Sequence, residues 1–143
     1  DAASPWLVHR LAEQPVSLVG TPARLGSAPP GRSLADLLAA EPIVLPPSET
    51  ALRAGFDALI SRLGVVPRIA AEADDMAMLR LLAREDAGLA VIPPIVARDE
   101  LAAGILVEAA RLDDLIETFF AVTRSRRFPN PLLGPLLGPL LGR

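Results

Sequence analysis

The sequence predicts an α/β domain with a mostly parallel sheet and flanking helices. Short β-branched or apolar runs alternate with capped, amphipathic stretches, and the connections between them are brief and rich in Pro and Gly. Composition agrees: 51% of the 143 residues are hydrophobic and 22% charged, too apolar for disorder and enough for a real core. A chain of this length makes one medium domain or two small lobes.

Val16 to Val19 form a first strand, closed by Gly20-Thr21-Pro22. Ala23 to Gly31 reads as loop, because prolines and glycines crowd together after Leu25, and Ser33 then caps a short helix from Leu34 to Ala40. Pro42 opens a second strand, Ile43-Val44-Leu45, which stops at Pro46-Pro47 because proline has no N–H to give a sheet ladder. Leu52, Phe56, Leu59, Ile60 and Leu63 then recur at helical spacing, led by Ser48, Glu49 and Thr50 and ended by Gly64. Val65 to Ala71 is the next strand. Asp74 or Asp75 caps a helix carrying Met76, Leu79 and Leu82, and Gly88 separates it from a strand at Leu89 to Ile92. Beyond Pro93-Pro94 follow a short helix from Ile95 to Ala103, a turn at Gly104, and two strands, Ile105 to Val107 and Thr118 to Thr123. From Pro131 the chain repeats Pro-Leu-Leu-Gly three times. Gly134-Pro135 and Gly138-Pro139 would each disrupt a regular helix by about 3 kcal/mol or more, so the terminus is expected to be kinked, either as a packed closing element or as an apolar stripe for a partner.

Several function classes fall away on composition. With no Cys there is no disulfide framework, thiolate zinc site, iron–sulfur cluster or cysteine nucleophile, and a reducing compartment fits. A net charge of −3 argues against this segment gripping a phosphate backbone, which takes a concentrated basic face. Arg124, Arg126 and Arg127 form a small basic cluster, read as a solvated strand end. The first residues carry no basic stretch followed by an apolar run, and no apolar run approaches the roughly 20 residues of a membrane-spanning helix, so a cytoplasmic domain with no membrane partner is expected. All the positive charge is Arg, a bias that fits a GC-rich genome.

The chemistry on offer is binding chemistry. His9, the sole histidine, has no Ser and acid arranged with it, and no Gly-rich phosphate loop is present, so no catalytic residues and no cofactor are expected. Glu72, Asp74 and Asp75 follow a strand and suit either a cation or the start of a helix. Ser48, Glu49 and Thr50 open a helix directly after a strand, where hydroxyls and backbone N–H groups converge on an anion or polar ligand, or simply cap the helix.

The order of segments in EPIVLPPSETALRAGFDALISRLGVVPRIAAEADDMAMLRLLAREDAGLAVIPPIVARDEL resembles the effector-binding domain of LysR-type transcriptional regulators. The resemblance lies in a strand, a Ser/Thr-led helix, a G-x-x-P-x-I strand, an acidic-capped helix and the run G-L-A-V-I-P-P. ALRAGFDALISRLGVVPRI and PVSLVGTPA look most like the subgroup around NhaR, the sodium-responsive activator of a sodium/proton antiporter gene.

The resemblance implies a fold like the type II periplasmic binding proteins, two α/β lobes joined by two crossing strands, here one complete lobe plus part of a second. Residues 1–15 would end the first lobe segment, 16–94 form the complete central lobe with crossings near Val16 to Thr21 and Leu89 to Pro94, and 95–143 return to the other lobe. The winged helix-turn-helix and the first elements of the returning lobe would lie outside this chain, leaving an apolar strand edge that invites self-association. A homodimer or higher oligomer is expected, packed through approximately Ala51 to Leu63 and Pro67 to Ala71. Carried over residue by residue, the effector would meet Thr21 at the first crossing, Ser48, Glu49 and Thr50 at the helix start, and Ile92 and Pro93 at the second crossing. The effector would be a small molecule or an ion; in the NhaR-like case it is Na⁺ or Li⁺ near Glu72, Asp74 or Asp75. DNA would be reached only through the missing N-terminal domain, and RNA polymerase would be a partner of the parent regulator.

A solute-binding protein of similar fold is the alternative, and it calls for an export signal and a complete pair of lobes. A transferase on the same α/β plan calls for a convergent acid, base or nucleophile, and the sequence offers none. A purely structural interaction module would differ from a sensor in having no ligand-dependent gain in thermal stability.

Overall fold

A computed structural model of the protein describes residues 6–26 and 31–124. They fall into two compact units, one of residues 15–116 and one comprising the described parts of 1–14 and 117–143. The strands and helices are β1 (Trp6–Gly20), α1 (Pro22–Gly26), α2 (Leu34–Ala40), β2 (Pro42–Leu45), α3 (Ala51–Leu63), β3 (Arg68–Glu72), α4 (Met76–Arg84), β4 (Leu89–Ile92), a 3₁₀ turn at Pro94–Ala97, α5 (Arg98–Ala102) and β5 (Val107–Arg124).

The strands form one sheet in the order β3-β2-β4-β1-β5. β2 pairs in parallel with both β3 and β4, while β1 runs antiparallel to β4, so the mostly parallel core is closed by an antiparallel neighbour. Every residue of β4 is fully buried, as a central strand covered on both faces must be. Its side chains alternate between two cores. Leu89 and Val91 meet Leu37, Leu38, Leu52, Phe56 and Leu59 from α2 and α3. Ala90 and Ile92 meet Leu79 and Ala83 from α4, with Ala97 and Leu106. The result is a three-layer α/β/α unit. At the β2–β3 edge the register slips, Ile43 facing Ile69 and Val44 facing Ala71, which leaves Ala70 as an extra residue on the edge strand.

The α/β class, the helices at 34–40 and 51–63 and the strands at 43–45 and 89–92 match the expectations. Five elements differ, each for a local reason. β1 starts at Trp6 rather than Val16; its first half is largely exposed and carries no apolar alternation to read. Residues 22–26 are helical rather than loop, because Thr21 caps them through its carbonyl to the Leu25 N–H at 3.1 Å and its hydroxyl to the Arg24 N–H at 3.2 Å. β3 begins at Arg68 instead of Val65: the Val65 N–H is spent closing α3 on the Ile60 carbonyl at 3.1 Å, and Pro67 has none to give. The helix expected over 95–103 is split, with Ala97 at φ −114° and ψ 26° between the 3₁₀ turn and α5. Finally, the two expected strands at 105–107 and 118–123 are one, β5. Ile105 and Leu106 turn their N–H groups back onto the Glu100 carbonyl, and Leu112 and Leu115 fill the α3-side core from what had read as a gap. Asp75, not Asp74, caps α4. The expectations for Arg126, Arg127 and the Pro-Leu-Leu-Gly terminus lie outside the described residues.

In the smaller unit, the His9 ring nitrogen Nε2 lies 3.0 Å from the Thr123 hydroxyl. Burial holds the Glu117 carboxyl above its ordinary range.

Gly88, at the entry to β4, has no room for a side chain, since a Cβ there would stand 2.5 Å from the Pro42 carbonyl oxygen. Gly88→Ala should therefore cost about 2 kcal/mol and lower Tm by roughly 8 °C or more in a thermal melt. Gly26→Ala, which meets nothing within 4 Å, should leave Tm nearly unchanged.

Candidate functional site

Because β2 and β4 are parallel, with Ile43 beside Leu89 and Val44 beside Ala90, their carboxyl ends open on the same side of the sheet. Pro46–Thr50 follows the first and Pro93 the second. This is the side on which ligands of open α/β sheets are met.

The Ser48–Thr50 corner divides into a fixed part and an offered part. Thr50 is the N-cap of α3: its hydroxyl accepts from the Arg53 N–H at 3.1 Å and donates to the Pro47 carbonyl at 2.9 Å. Ser48 and Glu49 sit exposed in the turn before it, joined only by a long 3.4 Å contact from the Ser48 hydroxyl to the Glu49 carboxylate. A hydroxyl, a carboxylate and the positive end of a thirteen-residue helix are thus presented together. Ile92 and Pro93 contribute differently. The Ile92 side chain is fully buried in the α4-side core, and Pro93 is buried with its carbonyl accepting from the Val96 N–H at 3.0 Å, so the pair fixes the end of β4 and offers no side-chain surface of its own.

Thr21 is at the other end of the sheet. Antiparallel pairing puts Ser17 opposite Ile92 and Val19 opposite Ala90, which carries Thr21 to the entry of β4. There its hydroxyl donates to the Asp86 carboxylate at 2.9 Å. Arg24 grips the same residue through its carboxylate and carbonyl, both at 2.8 Å. The hydrogen bond from Thr21 foremost, with the one from the Arg24 Nε, holds the Asp86 carboxyl below its ordinary range against the opposing effect of burial. Asp86 takes the left-handed backbone, φ 60°, just past the end of α4, where its N–H donates to the Ala83 carbonyl at 3.0 Å and the Ala87 N–H to the Leu82 carbonyl at 2.9 Å. The sheet therefore brings Ser48, Glu49, Thr50, Ile92 and Pro93 to one end and leaves Thr21 at the opposite one.

The acidic run also lies at the carboxyl end, since the Ala73 N–H extends the β2–β3 pairing to the Leu45 carbonyl at 3.0 Å. Two of its members are engaged: Glu72 accepts from Arg53 at 2.9 Å and Asp75 caps α4 by accepting from the Met78 N–H at 2.7 Å. Among the described residues no group of three or more His, Asp or Glu side chains is arranged to hold a metal ion.

Sequence reasoning missed Arg53. It is only 8% exposed although it is charged, because it occupies the buried stripe of α3 beside Leu52 and Phe56. Its guanidinium donates to the Pro46 carbonyl at 3.2 Å, to Glu72 at 2.9 Å and to Asp57 at 3.1 Å. The Glu72 bond foremost raises its pKa; burial works the other way, and Asp57 adds to the rise. The available signal was an Arg falling on an apolar helical stripe with an Asp four residues on.

A family model for the LysR substrate binding domain matches residues 3–141. No curated protein sequence matches. Among solved structures, the effector domain of the transcriptional regulator AmpR of Pseudomonas aeruginosa is similar with a TM-score of 0.68 at 18% identity, over 99% of this chain and 66% of that one. The AmpR effector-binding domain from Citrobacter freundii gives 0.68 at 16% identity, over 99% and 70%. DarR of Vibrio fischeri, solved in complex with DNA, gives 0.64 at 16% identity, over 97% and 46%. These likenesses are likenesses of fold. The chain spans about two thirds of the effector domains and under half of the longer regulator.

The division of labour at the corner has a measurable side. Thr50→Ala should cost about 1 kcal/mol in chemical denaturation through loss of the cap. Ser48→Ala should stay within about 0.5 kcal/mol of the parent.

Proposed function

This chain belongs to the LysR substrate-binding domain family, and on that footing we propose that it is the effector-sensing part of a DNA-binding transcriptional regulator, acting by binding and not by catalysis. In this reading residues 16–94 are one lobe of the effector domain and 95–143 the returning segment. The effector is a small polar molecule met by Ser48 and Glu49 at the end of the sheet where Ile92 and Pro93 close β4. The observation that carries the reading is the exit of β2, at the same end of the sheet as that of β4, onto a capped helix start whose flanking Ser48 and Glu49 are exposed while Thr50 is spent on the cap. DNA is contacted by a separate segment of the regulator, in keeping with the net charge of −3 here. The finer form, a Na⁺- or Li⁺-responsive activator of an antiporter gene, has less to support it, because Glu72 and Asp75 already have protein partners.

A thermal-shift series separates these forms. With the protein screened against small carboxylates at matched ionic strength, a binder at about 100 times its Kd should add about 2.7 kcal/mol and several degrees of Tm. Ser48→Ala should reduce that gain without moving the Tm of the free protein. Selective stabilisation by NaCl or LiCl over KCl would instead favour the ion form, and a flat response to every arm would overturn the sensing proposal.

Self-association through α3 and β3 is the second part of the proposal. β3 is an edge strand, and Leu63, Val66 and Ile69 are 38%, 90% and 41% exposed beside it. Sedimentation should report a dimer that Val66→Glu with Ile69→Arg converts to monomer; an unchanged mass would exclude this face.

A further inference from the structure

We propose that Arg53 is a positioning residue that ties the Ser48–Thr50 corner to the edge strand β3, so that a change at one is transmitted to the other. The inference rests on the reading of this corner as the effector surface. It starts from a deficiency in the sequence: Pro46 and Pro47 have no N–H, so the stretch leading into the corner cannot anchor itself by donating hydrogen bonds. Its placement depends on what it accepts. The Pro47 carbonyl accepts from the Thr50 N–H at 3.1 Å and the Thr50 hydroxyl at 2.9 Å, both inside the corner itself. The Pro46 carbonyl accepts from the Arg53 guanidinium at 3.2 Å.

That guanidinium is shared outward. The same Nη1 donates to Glu72 at 2.9 Å, and Nε donates to Asp57 at 3.1 Å. Glu72 is the last residue of β3 and pairs with Leu45, the residue just before the proline pair. The Arg53 backbone closes the circuit, its N–H held by the Thr50 hydroxyl at 3.1 Å. One buried, planar, permanently charged group therefore fixes the corner's backbone and reads the position of the edge strand. A Lys ammonium, as a single point donor group, cannot hold the same forked arrangement. Movement of β3 that draws Glu72 away changes the hydrogen bond left for the Pro46 carbonyl, and displacement of the corner acts back on Glu72 by the same linkage.

Amide hydrogen exchange followed by NMR on the whole chain tests the tie without any ligand. The probes are the N–H groups of Thr50, Arg53 and Ala54, which are bonded to Pro47, the Thr50 hydroxyl and the Thr50 carbonyl. Glu72→Gln removes the charge from the edge strand without touching the corner. It should speed exchange at these three amides about fivefold while leaving the Leu79 amide of α4 unchanged. Arg53→Lys should do the same. Arg62→Gln, also on α3, which breaks an exposed ion pair to Asp114 of β5, should have no such effect. Unchanged exchange at the three amides in Glu72→Gln, or a uniform acceleration through α3 and α4 alike, would overturn the proposal. Local acceleration together with a flat thermal-shift series would uphold the tie and overturn the effector reading.

Discussion

The packing of β4 is the constraint on which the rest of residues 15–116 depends. Four consecutive residues with no exposed surface need backbone partners on both sides and apolar cover above and below, and they have all four. β2 and β1 supply the hydrogen bonds; α2 and α3 cover one face, and α4 covers the other. The strand also sets a distance, since the backbone of Gly88 lies so close to the Pro42 carbonyl that β2 and β4 approach without a side chain between them. Because β2 and β4 are parallel, both open at the same end of the sheet; with β2 reversed, the Ser48–Thr50 corner would emerge at the opposite end.

Polar interactions then hold the two ends of the sheet in different ways. At the entry to β4, Thr21, Arg24 and Asp86 satisfy one another, with Arg24 and Arg32 also reaching Glu41. That end is closed upon itself. At the exit, the donors that hold the proline pair come from α3, and Ser48 and Glu49 are left to solvent. Between the ends, the buried Ser17 hydroxyl donates to Glu108 at 2.5 Å, joining β1 to β5. The cations of these networks are guanidinium groups, planar and forked, so each can hold more than one acceptor at once.

The sequence made the short buried strands and the capped helices legible because their signals are local. Ser33, Thr50 and Asp75 cap the helices where such residues are expected to, and Ile43–Leu45 and Leu89–Ile92 are continuous apolar runs. Long strands were harder. β1 ahead of Val16 and β5 ahead of Thr118 are for the most part exposed or half-buried and show no alternation, and Asp113 and Asp114 disguise the inward-facing Leu112 and Leu115. The placement of the candidate residues was half legible for a related reason. Ser48–Thr50 follow their strand in sequence, whereas the place of Thr21 depends on the direction of β1 relative to β4, which no residue near Thr21 encodes. Arg53 was hidden by its type: a charge on a helix reads as surface until its partners, Pro46 and Glu72, are known in space.

The slip between β2 and β3 bears on what the open edge of the sheet can template. An edge strand of five residues with an extra residue at Ala70 has neither the length nor the regular spacing of free N–H and C=O groups that successive copies need in order to stack. Its apolar neighbours make the edge adhesive, and the irregularity makes it a poor template for growth. Association through this face would therefore be self-limiting: two copies that covered each other's Val66 and Ile69 would present no fresh, in-register edge to a third.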